Sequence, residues 1–142
     1  MFFFINGMYN TNTMVDFTWY NSLITPPLTP PAWVFPQAWT FLYITIFLAF
    51  LMFLFSKSDN KKIGYVCFFT QLILNFSWTP AFFIFKNIIV ALIIIILLDI
   101  MIFFTIKEFA KVSRLSALFL VPYFLWVLFA TYLNIGFLVL NN

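Results

Sequence analysis

The 142 residues are 65% hydrophobic and only 8% charged, where a soluble domain carries roughly a quarter charged residues, so the chain reads as an integral membrane protein. It has room for four or five spans at roughly 20 residues each, which leaves one domain and no separate soluble module. Histidine is absent, which removes the commonest metal ligand and the commonest acid–base group at neutral pH, and the net charge of +3 sits in short loops where it reports topology and gives no support to nucleic-acid binding.

Residues 1–17 do not fit a span. Met1 to Ile5 is apolar, but Asn6, Gly7, Asn10, Thr11, Asn12, Thr13 and Asp16 interrupt it, and no basic region marks a signal peptide. Residues 18–34 form a Pro/Trp-rich connector that holds Trp19, Tyr20 and Trp33. Pro26, Pro27, Pro30 and Pro31, with Pro36 just beyond, fix φ and push each preceding residue into extended geometry. Stiff, non-helical backbone beside a bilayer is tolerated where it packs on protein or lines a cavity, so the connector is expected to cover a pocket.

Four apolar stretches follow, at about 35–55, 63–85, 88–106 and 117–140, each long enough at 1.5 Å per residue to cross roughly 30 Å of hydrocarbon. Their separators are short, which predicts an antiparallel up-down bundle. Lys57, Lys61, Lys62, Lys107, Lys111 and Arg114 then fall on one side and only Lys86 on the other. That asymmetry puts the basic loops in the cytoplasm, the bacterial inner membrane being the membrane it fits, with the connector on the far side. Cys67, inside the second stretch, reads as a small core hydrophobe.

Residues four, seven or eight apart share a helix face. Phe35, Trp39 and Tyr43 in the first span, Gln71, Asn75, Trp78 and Phe82 in the second, and Pro122, Trp126, Ala130 and Asn134 in the last make three such stripes. Unpaired amides in hydrocarbon are costly, so Gln71, Asn75 and Asn134 must face other helices or a ligand; interhelical hydrogen bonding alone would account for Asn134 equally well. Together the stripes could wall one cavity. Pro80 is expected to loosen the second helix, and Pro122 to kink the last. Asp99 is the only acid deep inside a span, with no basic partner at helical spacing, and a structural role for it weighs the same as a functional one.

The segments Trp19-Tyr20, Pro30-Pro31-x-Trp33-Val34-Phe35, Trp39 with Leu42-Tyr43, Gln71-x-x-x-Asn75-x-x-Trp78, Pro80-x-Phe82-Phe83 and Pro122-Tyr123-x-x-Trp126-x-x-Phe129-Ala130-Thr131-x-x-Asn134 resemble, in order, the TspO/MBR family of tryptophan-rich sensory and translocator proteins, also known as peripheral benzodiazepine receptors. The resemblance implies an all-α, five-helix membrane bundle, often dimeric, that binds porphyrins such as protoporphyrin IX beneath the first connector. Carried over by position, it implies Tyr20, Trp33, Phe35, Trp39, Asn75, Trp78, Phe82, Trp126 and Ala130 as ligand-binding residues. The departures are specific. The family's first helix precedes the Trp-Tyr pair, and here the chain begins too late to supply it whole, leaving four clear spans. Thr25 stands where the family often has a basic residue, Leu28 and Phe76 where it often has Trp, and Pro36 where Gly is usual. The sterol-recognition stretch is not legible in 133–142, so cholesterol binding is not predicted.

The leading expectation is a binding and sensory protein in which a flat tetrapyrrole stacks on Trp39 and Trp126. Without histidine, haem iron would lack its usual axial ligand, which favours metal-free porphyrin, and no protein cofactor is implied. A light-dependent porphyrin-degrading enzyme, using Trp39 and Trp126 as electron carriers, ranks second because no acid–base or nucleophile constellation is present. Tetrapyrrole transport coupled to Asp99 ranks third, since inverted repeats and paired broken helices are lacking.

Overall fold

The computed structural model describes residues 23–29, 34–58 and 61–141, apart from the side chains of Phe35 and Phe83. The lead-in 1–17, Tyr20 and Trp33 lie outside the described residues. Four helices are present among them: α1 Val34–Phe55, α2 Lys62–Thr79, α3 Ile88–Val112 and α4 Arg114–Leu140. Helices α1, α3 and α4 are each long and apolar enough to cross a membrane. Helix α2 is less apolar, because Gln71, Asn75, Ser77 and Thr79 sit in it, and it continues into a π-helical turn at Pro80–Ile84. Proline has no N–H to give the carbonyl one turn back, and the widened turn starts at that residue.

A single rule explains which faces are inside. The buried stripe of α1 runs through Trp39, Leu42, Ile46, Ala49 and Phe53, with Pro36 and Thr45 buried beside it; that of α3 runs through Ala91, Ile95, Leu98, Ile102, Thr105 and Phe109. In α4 Ser116, Leu120, Tyr123, Val127, Asn134 and Phe137 are buried, with Ala130 partly so. Each set alternates steps of three and four, which holds a stripe on one helix face and lets neighbouring helices mesh. The opposite faces carry Phe47, Ile93, Phe103, Leu118 and Val139, all exposed to the position of lipid.

Helix α4 packs against both α1 and α3, and α2 packs against α3. Between α1 and α2, large side chains bridge the seam. Phe50 meets Tyr65 and Phe68, and Phe53 meets Tyr65 and stacks on Phe109 at 4.0 Å between ring centroids. Gly64 exists in α2 because that ring lies on it: a Cβ there would come within 2.6 Å of Phe53 Cζ. At the same end Ser116 Oγ donates to the Ala49 carbonyl (2.6 Å), and Lys61 Nζ donates to the Leu54 and Ser56 carbonyls that α1 leaves unpaired.

The connection between α3 and α4 is shorter than the charges at 107–114 suggest. Helix α3 continues through 107–112, where Lys111 pairs with Glu108 at 3.0 Å, and the corner is Ser113 alone. Its backbone N–H donates the last hydrogen bond of α3 to the Phe109 carbonyl, while its hydroxyl accepts from Ser116 N at the start of α4. Charged residues here mark where the helix leaves the bilayer, not where it stops. Pro122 leaves α4 a continuous helix, with the proline on the exposed face.

Candidate functional site

Trp39, 2% exposed, lies on the inward stripe of α1, with its ring 5.6 Å from that of Tyr43 and edge-on to Tyr123 at 6.2 Å. Around it runs one chain of hydrogen bonds through three helices. Tyr43 Oη donates to Asn75 Oδ1 (2.9 Å), Asn75 Nδ2 donates to Tyr123 Oη (2.7 Å), and Tyr123 Oη donates to Gln71 Oε1 (2.7 Å). Each hydroxyl spends its single hydrogen once, so the chain has one direction, from α1 through α2 and α4 back to α2. It ends on an amide whose Nε2 is buried without a partner. A donor left so is costly, which leaves Nε2, like the buried and unpartnered Oγ1 of Thr79 in the same helix, ready to meet an acceptor.

Toward the connector end, Trp78 Nε1 donates to Asn134 Oδ1 (2.9 Å) and Asn134 Nδ2 to the Ile88 carbonyl (3.2 Å). One amide thus fixes an indole of α2 while tying α4 to α3. Phe82 stacks on Trp78 at 5.0 Å and meets Phe137 edge-on at 5.8 Å. Trp78 touches both apolar clusters, the large one around Trp39 and the smaller one around Phe82.

Trp126 lies at the outer edge of the large cluster. With Ala38, Phe41, Leu42, Pro122, Leu125 and Phe129 it lines an open, almost wholly apolar groove of about 440 Å³ between α1 and α4. That volume is within the roughly 300–1,000 Å³ of small-molecule pockets. Trp39 and Ala130 belong to the same cluster, Trp39 within it and Ala130 packed against it. Among the described residues, then, Trp39, Asn75, Trp78, Trp126 and Ala130 gather around the α1–α2–α4 interior, with Phe82 beyond Trp78. Tyr20, Trp33 and the side chain of Phe35 are outside the described residues.

The stripes read at steps of four drift, because four residues advance about 400° around a helix and each repeat slides about 40° off the face. Pro122 is exposed and Trp126 half-buried for that reason, while Ala130 and Asn134 return to the seam. The same drift hid Tyr123, which is fully buried and central to the hydrogen-bond chain. The alternating three-four register through Ser116, Leu120, Tyr123 and Val127 was the signal that would have found it.

The connector is fastened to the end of α4. Ile24 N donates to Asn141 Oδ1 (2.7 Å) and Asn141 Nδ2 donates back to the Ile24 carbonyl (2.9 Å). Tyr132 Oη donates to the Pro27 carbonyl (2.7 Å), and Pro26 lies so close on Gly136 that a Cβ there would be 2.5 Å from the Pro26 Cβ. The tip turns at Leu28, whose φ of 70° is left-handed.

A model of the TspO/MBR family matches residues 1–140. The chain belongs to the TspO/MBR family. Among relatives of this family member, "Tryptophan-rich protein TspO" of Chlorobaculum tepidum is 41% identical over 125 residues, covering 87% of this chain and 79% of that one. "Protein CrtK" of Rhodobacter capsulatus is 36% identical over 125 residues (87% and 78%), and "Translocator protein" of Bos taurus 34% identical over 123 residues (83% and 72%). Membership in this family and the apolar helices make it an integral membrane protein with a sensory or receptor role.

Proposed function

We propose that this TspO/MBR member is a receptor for a flat, amphipathic tetrapyrrole of the protoporphyrin IX type, held in the α1–α2–α4 interior under the connector. The observation that carries the reading is the joining of aromatic faces to a polar chain with an open end: Trp39 lies against both Tyr43 and Tyr123, and the two tyrosine hydroxyls are linked through Asn75 to the Oε1 of Gln71, whose Nε2 has no partner. Indole and phenol rings give a macrocycle broad apolar contact, and an amide donor suits a carboxylate or carbonyl at its edge. The ligand enters beside Trp126 through the groove between α1 and α4, passing from lipid to protein without crossing water. Tyr20, Trp33, Phe35, Trp39, Asn75, Trp78, Phe82, Trp126 and Ala130 form the proposed contact set. Occupancy is sensed as a change in how the connector seats on α4, and the receptor works as a homodimer.

The six cations at the end shared by α1, α2, α3 and α4 favour an orientation with that end in the cytoplasm of a bacterial inner membrane. The test of binding is a titration of detergent-solubilised protein with protoporphyrin IX, following tryptophan emission. Saturable quenching with a defined stoichiometry is expected; quenching that grows linearly with porphyrin and never saturates would refute the reading.

A further inference from the structure

Asp99 is the twelfth residue of the 25-residue α3, next to the midpoint of that helix, and it lies in an apolar run. Its Oδ2 is 2.6 Å from Thr131 Oγ1 on α4, and the same Thr131 oxygen is 2.9 Å from the Val127 carbonyl. A threonine hydroxyl has one hydrogen and cannot donate fully to both. Elsewhere in this protein the hydroxyls of Thr40, Thr70, Ser77 and Thr105 donate to the carbonyl one turn back, at 2.7–2.8 Å. Thr131 follows that habit by giving its hydrogen to Val127, and the second hydrogen in the short contact must then come from Asp99.

The surroundings agree. Asp99 Oδ1 is buried with no donor facing it, which a neutral C=O endures far better than half of a carboxylate charge. Among the described residues no cation pairs with Asp99; the ion pair there is Lys111–Glu108, at the basic end of α3. On α4 the hydroxyl of Tyr123 is engaged with Asn75 and Gln71, and that of Tyr132 with the Pro27 carbonyl.

We propose that Asp99 and Thr131 form a proton-binding site at mid-membrane, in which Asp99 holds its carboxyl proton on Oδ2 and donates it to Thr131 Oγ1. The site ties α3 to α4 and stores one exchangeable proton, independent of whether the interior binds a tetrapyrrole. Infrared spectroscopy of the protein in lipid at neutral pH tests it, and the small number of acids, Asp and Glu together being 4, keeps the spectrum readable. Wild type should show the C=O stretch of a protonated carboxyl, shifted by ¹³C-aspartate labelling, absent in Asp99→Asn and moved to higher frequency in Thr131→Val as the hydrogen bond is lost. The labelling arm needs no variant to fold. Carboxylate stretches assignable to Asp99 with no protonated C=O band would overturn the proposal, as would a C=O band that Thr131→Val leaves in place.

Discussion

Replacing Tyr123 with Phe deletes one oxygen at a fully buried position and leaves the ring in place. Two hydrogen bonds of 2.7 Å go with it, one accepted from Asn75 Nδ2 and one donated to Gln71 Oε1. Gln71 is 1% exposed and its Nε2 already has no partner, so the substitution orphans the whole amide. A newly unsatisfied buried group costs about 1–3 kcal/mol, and interhelical bonds in membranes average nearer 0.6 kcal/mol, because the helices find other partners when apart. Together these place Tyr123→Phe at roughly 1–2 kcal/mol of destabilisation. Gln71→Leu takes away the acceptor of the Tyr123 hydroxyl but also removes the unpartnered Nε2, so it should cost less, about 1 kcal/mol. The double variant should cost less than the sum of the two single variants, because each of them breaks the same Tyr123–Gln71 bond. Reversible unfolding in mixed micelles, run as a double-mutant cycle, reads the coupling directly. Additive effects, agreeing within about 0.5 kcal/mol, would refute the hydrogen-bond chain as drawn.

Gly64→Ala drives a methyl into the ring of Phe53, which is held against Phe109 and cannot withdraw, so about 1–3 kcal/mol of stability should be lost in the same unfolding assay. Gly136→Ala pushes Pro26 off α4 while leaving the helix intact; faster protease cleavage within 23–29, with unchanged helix content by circular dichroism, is the expected result. Leu28→Gly relieves a left-handed backbone at a residue whose side chain is largely exposed, and should make the connector more resistant to that protease, by about 1 kcal/mol of local opening energy.

How much of this was readable beforehand depended on what each residue had to do. Helices announce themselves when a stretch must satisfy its backbone in lipid, so 35–55 and 117–140 fall close to α1 and α4. Pro80 announced the disturbed turn through its missing N–H. The charged 107–114 misled, because polarity marks the water boundary and α3 crosses it without unwinding. The register of α3 was illegible for another reason: Ile and Leu serve equally against protein and against lipid, so 93–98 carries no contrast between its faces. In the site, amides and indoles were conspicuous because each must find a partner, and Asn134 with Trp78 is such a pair. Tyr123 was hidden beside Pro122 by a spacing rule that drifts. The docking of the connector on Gly136 and Asn141 had no local signal, since it joins residues more than a hundred positions apart.

The central claim is that tetrapyrrole binding belongs to the α1–α2–α4 interior and its groove. The most direct measurement compares protoporphyrin IX affinity in wild type, Trp126→Leu, Asn75→Leu and the lipid-face variant Phe103→Leu, followed by porphyrin absorbance in a common detergent. The account predicts that Trp126→Leu and Asn75→Leu weaken binding about 5–10-fold, equivalent to about 1–1.4 kcal/mol each, while Phe103→Leu leaves it unchanged. Equal affinity in all four proteins would contradict it.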